Sequence, residues 1–130
     1  MRGAAVLPGP LTPRGAPLTR SPRDRFDRLV LDVLEGLQER WADELGCVDF
    51  AVEETPVLPA DWAASTVPLA SVLPRDGGGR TRLVVFRRPI GLRAESPEDL
   101  GALVLTVLVE QVAELLGRRP EEIDPRYDPD

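Results

Sequence analysis

Glu110 and Glu114 are the residues whose type and spacing point most directly to chemistry. Residues four apart in a helix stand on one face, so the two carboxylates project together, with Gln111 beside them. They belong to the run Glu110-Gln111-Val112-Ala113-Glu114-Leu115-Leu116-Gly117, where a long apolar helix turns polar. Joined by Glu121 or Asp124, such a pair is a candidate carboxylate site for magnesium, calcium or manganese, since oxygen-only ligands suit these ions better than zinc. The same three residues, Glu110, Gln111 and Glu114, also read as an ordinary solvated helix face.

Composition narrows the chemistry. The 130 residues contain no histidine and no lysine, and all 16 basic residues are arginine. This excludes Ser-His-Asp hydrolysis, Cys-His proteolysis, histidine-ligated zinc, Schiff-base chemistry and a phosphate-binding Walker lysine. One cysteine, Cys47, permits neither an internal disulfide nor a thiolate zinc site and is expected to be a small buried hydrophobe at a strand start. The net charge of −6 and pI near 4.7 argue against nucleic-acid binding. The longest apolar stretch, Leu100 to Val109, is about half a membrane span. Pro8 and Pro10 interrupt the N-terminal apolar stretch before a secretory signal is complete, so a cytoplasmic protein with no membrane partner is expected. The richness in arginine, alanine, glycine and proline suggests a GC-rich bacterial genome.

Three elements must position Glu110 and Glu114. Residues 1–20, with four prolines and three arginines, read as a disordered basic arm. A first helix opens at Ser21-Pro22-Arg23-Asp24, where Ser21 caps, Pro22 suits the first turn and Asp24 can complete a capping box. Its apolar face recurs at Phe26, Val30, Val33, Leu34, Leu37, Trp41 and Leu45, with Gly46 as the stop. Val48 to Glu53 alternates as a half-buried strand. A loop with Trp62 as its anchor follows, then a short strand within Val67–Leu73, weakened by Pro68. Asp76-Gly77-Gly78-Gly79 reads as a turn. Leu83-Val84-Val85-Phe86 is the strongest strand signal, covered on both faces and ended by Pro89. Arg75, Arg80, Arg82, Arg87, Arg88 and Arg93 form a local basic cluster in the sequence. The second helix opens at Ser96-Pro97-Glu98-Asp99, is apolar nearly all round from Leu103 to Val109, and ends at Gly117. Pro120 to Asp124 reads as a helical turn, and residues 125–130 as a loose acidic tail. The fold expected is a single α+β domain over residues 21–124, a short sheet of about three strands packed against two main helices. Trp41 and Trp62 are expected in packing.

From Asp24 to Asp124, and most clearly from Leu83 to Ile123, the chain resembles the minimal zincin-like metallopeptidases of bacteria. These short proteins carry His-Glu-x-x-His on a helix, followed by two apolar residues and glycine. Leu83-Val84-Val85-Phe86-Arg87-Arg88-Pro89-Ile90 is similar to the family's strand ending in Arg-x-Pro-Ile, and Glu95-Ser96-Pro97-Glu98-Asp99-Leu100 to its helix entry. Leu115-Leu116-Gly117 matches the end of the zinc motif, and Glu121-Glu122-Ile123 the acidic turn after it. The resemblance implies a minimal zincin fold and a zinc cofactor. Placed residue by residue, it sets the first zinc histidine on Glu110, the catalytic glutamate on Gln111, and the second histidine on Glu114. A further ligand three residues after the glycine falls on Pro120, which cannot ligate, with Glu121 beside it. Moving the register by one residue puts the glutamate on Glu110 and the histidines on Val109 and Ala113.

Zincin chemistry needs two neutral imidazoles to hold the metal, and a carboxylate to take a proton from metal-bound water. A glutamine amide does not accept that proton near neutral pH. The expectation is therefore an inactive metallopeptidase-like protein, a pseudoenzyme with no cofactor and no confident catalytic or metal residue, acting if at all by binding a peptide or protein in the zincin groove. Strand addition along an edge needs no metal. Two other readings stand beside it. One is a metal-dependent hydrolase using Glu110, Glu114 and Glu121 alone. The other is a small acidic partner subunit or antitoxin-like module acting through the basic arm.

Overall fold

The structure is a computed structural model that describes residues 5–6, 21–58, 67–74 and 80–127. Helix α1 spans Pro22–Arg40, followed by strand β2 at Val48–Glu53, β3 at Ala70–Pro74 and β4 at Thr81–Phe86, with a two-residue strand β1 at Ala5–Val6. Helices α2 (Arg87–Arg93), α3 (Pro97–Leu116) and α4 (Pro120–Ile123) complete the order. The fold is α+β: helices packed on a mixed sheet of three main strands, extended by the short β1.

Sheet order is β1-β2-β4-β3. β2 and β4 run parallel, with Phe50 opposite Leu83 and Val52 opposite Val85. β3 pairs antiparallel with β4, Ala70 opposite Val85 and Pro74 opposite Thr81. β1 pairs antiparallel with β2 at Ala5–Val52 and Val6–Ala51. The other residues of the arm expected at 1–20 lie outside the described residues.

Local chemistry explains the helix ends. The Ser21 hydroxyl accepts the Asp24 N–H at 3.1 Å, and the Ser96 hydroxyl accepts the Asp99 N–H at 3.0 Å, each satisfying a donor the helix leaves open. Gly117 ends α3 with φ 68°, a left-handed conformation that a side chain disfavours. The Arg118 N–H then closes back on the Ala113 carbonyl at 2.9 Å.

The core lies between the helices and one face of the sheet. α1 contributes Phe26, Val30 and Leu37, α3 contributes Val104, Leu108, Val109 and Val112, and the sheet contributes Phe50, Leu83 and Val85. Each such side chain, fully buried, contributes roughly 1.5–3 kcal/mol. On the opposite face Ala51, Val84 and Phe86 form a second small cluster, so β4 is covered on both sides. The near-continuous apolar surface of α3 has its cause here: the helix touches α1, α2, β3 and β4.

Four expectations change. α1 stops at Arg40, and Trp41 and Leu45 fall in the turn after it, where the Leu45 N–H still bonds the Trp41 carbonyl at 2.9 Å and prolongs the helical periodicity. Pro89 does not end β4. The strand gives way at Arg87, and Pro89 sits in the first turn of α2, where its missing N–H costs nothing. Cys47 is exposed rather than buried, because it lies in the turn just before β2 rather than on the strand. The basic cluster divides. Arg80 stands at the start of β4, bound to Asp49 at 2.6 Å, and Arg87 lies beyond the strand's far end, paired with Glu54. The six strand residues between them, Thr81–Phe86, separate the two groups by about 20 Å. Arg75, Trp62 and the glycines at 77–79 lie outside the described residues.

Candidate functional site

The last two turns of α3 carry the residues singled out by spacing. Val109, Val112 and Ala113 are buried, so the opposite face presents Glu110 and Glu114, both exposed, with Gln111 half-buried beside them. The helical spacing thus brings Glu110 and Glu114 to one face, as expected. Glu121 sits in the first turn of α4, exposed.

Glu110 has a partner that the sequence did not indicate. Tyr127 donates its hydroxyl to Glu110 Oε2 at 2.7 Å. Its ring is half-buried against the main core, so residues 125–127, expected within a loose tail, fold back onto α3. The hydrogen bond to Glu110, then burial and the charges of Glu110 and Glu121, push the Tyr127 phenol up to about 12.

Asp124, the other carboxylate considered as a ligand, is fully buried. Arg126 donates to it three times: its backbone N–H at 2.9 Å and its Nε at 3.1 Å to Oδ1, and its Nη2 at 2.8 Å to Oδ2. Arg40 at the end of α1 adds a contact of 3.2 Å to Oδ2. Burial by itself raises the Asp124 pKa, but the side-chain and backbone bonds from Arg126, with the charges of Arg126 and Arg40, bring it below the usual carboxylate value. Asp124 ties α1 to the segment after α4 and is not free to ligate. Gly36 of α1 leaves room for this knot, since a Cβ there would meet the Arg126 guanidinium at 3.1 Å.

Trp41 closes the same end of the molecule. Its Nε1–H donates to the Ile123 carbonyl at 2.9 Å, and the Arg118 guanidinium lies 5.1 Å above its ring. Trp41 therefore packs, as expected, and locks α4 against the end of α1.

These residues do not fit a zinc ion. The positions that the resemblance assigns to zinc histidines hold Glu110 and Glu114, and Glu110 is committed to Tyr127. Among the described residues, no three His, Cys, Asp or Glu side chains gather in a way that could hold a metal.

A second feature belongs to the backbone. The Phe86 N–H bonds the Leu69 carbonyl at 3.0 Å, which makes Leu69 and Phe86 a hydrogen-bonded pair of the antiparallel ladder. Such pairs alternate, so Ser71 and Leu73 also turn their backbone groups toward β4, while Ala70, Val72 and Pro74 turn theirs outward. Among the described residues β3 is the edge of the sheet. It offers the N–H and C=O of Ala70 and Val72, bounded on the same parity by Pro68 and Pro74, which have no N–H. Edge prolines of this kind stop indefinite strand pairing. The sequence signal was present in Pro68 and Pro74, but their parity became meaningful only with the register.

Among the described residues no helix is long and apolar enough to cross a membrane. No curated protein matches the chain. The family model for zincin-like metallopeptidases matches residues 47–128, which include β2 to α4 and both Glu110 and Glu114. With the mixed sheet, its edge strand and the buried helix under it, that match assigns the chain to the zincin-like metallopeptidase family.

Proposed function

We propose that this protein is an inactive member of its family that binds extended polypeptide along β3 without cleaving it. The observation that supports binding is the edge strand: Ala70 and Val72 present outward backbone donors and acceptors, and Val72 and Leu73 are exposed apolar side chains beside them. Strand addition draws its affinity from main-chain hydrogen bonds and needs no metal. The loss of activity follows from the chemistry of the site. With no histidine in 130 residues, the family's metal ligands are missing in either register, and Gln111 cannot serve as a base where the family has its glutamate.

Fluorescently labelled casein, an unfolded polypeptide, tests both halves at once. The expected result is no cleavage with or without added zinc, and binding that is lost in Val72→Pro. Chelator-sensitive cleavage, or binding indifferent to Val72→Pro, would contradict the proposal. The Val72 N–H points away from β4, so proline there removes no bond of the native sheet.

A further inference from the structure

A cavity of about 460 Å³ opens at the end of the sheet where β2 and β4 finish and β3 begins. Pro56 and Leu58, after β2, form one wall; Leu69, just before β3, and Leu92 of α2 form others. Arg88 and Arg93 also line it, and both are exposed. Among the described residues neither has a carboxylate within ion-pair reach, whereas their neighbour Arg87 is paired with Glu54. Among the described residues, then, two cations without an acidic partner stand beside an apolar hollow in a chain of net charge −6. The cavity is remote from Glu110. α2 leads into the start of α3, and Glu110 lies about 20 Å along the axis from Pro97.

We infer that this cavity is the specificity pocket for the polypeptide held on β3, accepting a large apolar side chain whose acidic neighbour is held by Arg88 and Arg93. The inference rests on the edge-strand reading. A strand paired with Ala70 and Val72 that continues past the start of β3 reaches the level of Leu69 and the cavity mouth within two residues, at about 3.3 Å each. Its apolar side chain meets Leu58, Leu69 and Leu92. Its carboxylate, on an adjacent or next-but-one residue, meets guanidinium groups that no other described residue neutralises. The volume falls in the range of ligand-binding clefts, and the charge selects acidic over basic sequences.

The test is selection from a library of random heptapeptides displayed on phage, with the full chain as bait. The expected outcome is enrichment of sequences carrying Leu, Ile or Phe within two residues of Asp or Glu. Selected peptides should bind Arg88→Gln/Arg93→Gln at least about fivefold more weakly, with reduced salt dependence. They should also fail against Leu92→Glu, a change at an exposed position that spares the core. Val72→Pro and, as a second variant, Ala70→Pro should abolish all peptide binding. Peptides that depend on Val72 but show no apolar–acidic preference, or that ignore the arginine substitutions, would overturn the pocket and leave the edge strand standing. Selection of no peptide would overturn both.

Discussion

Tyr127 donates its hydroxyl to Glu110 at 2.7 Å, which places the end of the chain over the position where the family's first zinc ligand is expected. Tyr127 is the chain's single tyrosine, so its ionisation can be followed in the ultraviolet without interference. The phenol should titrate near pH 12, and in Glu110→Gln its midpoint should fall toward 10. The folded value is raised, so the bond's contribution to stability is complete below about pH 10 and disappears as pH rises toward 12. A midpoint near 10 in the parent protein would mean that the tail is not docked.

Asp124 gives the opposite pH dependence. Its folded pKa lies below the unfolded value of about 3.9, so its contribution is complete above about pH 5 and is lost as pH falls through 4 toward the folded value. Asp124→Ala should cost about 2–3 kcal/mol at pH 7, measured by urea denaturation. The figure sits below the roughly 3–5 kcal/mol of a broken buried pair because Arg40 and Arg126, left behind, are both partly exposed and regain water. The gap between parent and variant should narrow as pH falls below the unfolded value of about 3.9.

Gly117 should resist substitution although a Cβ there meets nothing within 4 Å. The cost comes from its positive φ rather than from space. Gly117→Ala should lower stability by about 1 kcal/mol, seen as a lower thermal midpoint, with the helix content unchanged.

How much of this was legible in the sequence depends on the range of the interaction that decides each feature. Ser21, Ser96 and Gly117 act within four residues of themselves, and their helix ends fall where composition placed them. Pro89 misled because a proline that ends a strand and one that starts a helix look alike; Arg87 and Arg88 gave no signal for a helix beginning before it. The i, i+4 spacing of Glu110 and Glu114 was readable, but their nearest chemistry was not. Tyr127 is 17 residues from Glu110, and Arg40 reaches Asp124 across most of the chain. The parity of Pro68 and Pro74 required the pairing of β3 with β4 before it meant anything.

Restoring the family's chemistry tests the residue-by-residue placement. Glu110→His/Gln111→Glu/Glu114→His, combined with Tyr127→Phe to release the first position, should gain zinc binding in the micromolar range that the parent lacks. Isothermal calorimetry checks it. A folded variant without zinc affinity would show that the two imidazoles do not converge and that the register on α3 is different.

The most direct test of the central claim is a calorimetric titration of the chelator-stripped parent protein with zinc, manganese, calcium and magnesium, with Glu110→Ala/Glu114→Ala as the control. A family fold that has lost its metal site predicts no binding heat for any of the four. Stoichiometric binding at micromolar or tighter affinity, abolished in the double variant, would contradict it and return Glu110 and Glu114 to metal-assisted chemistry.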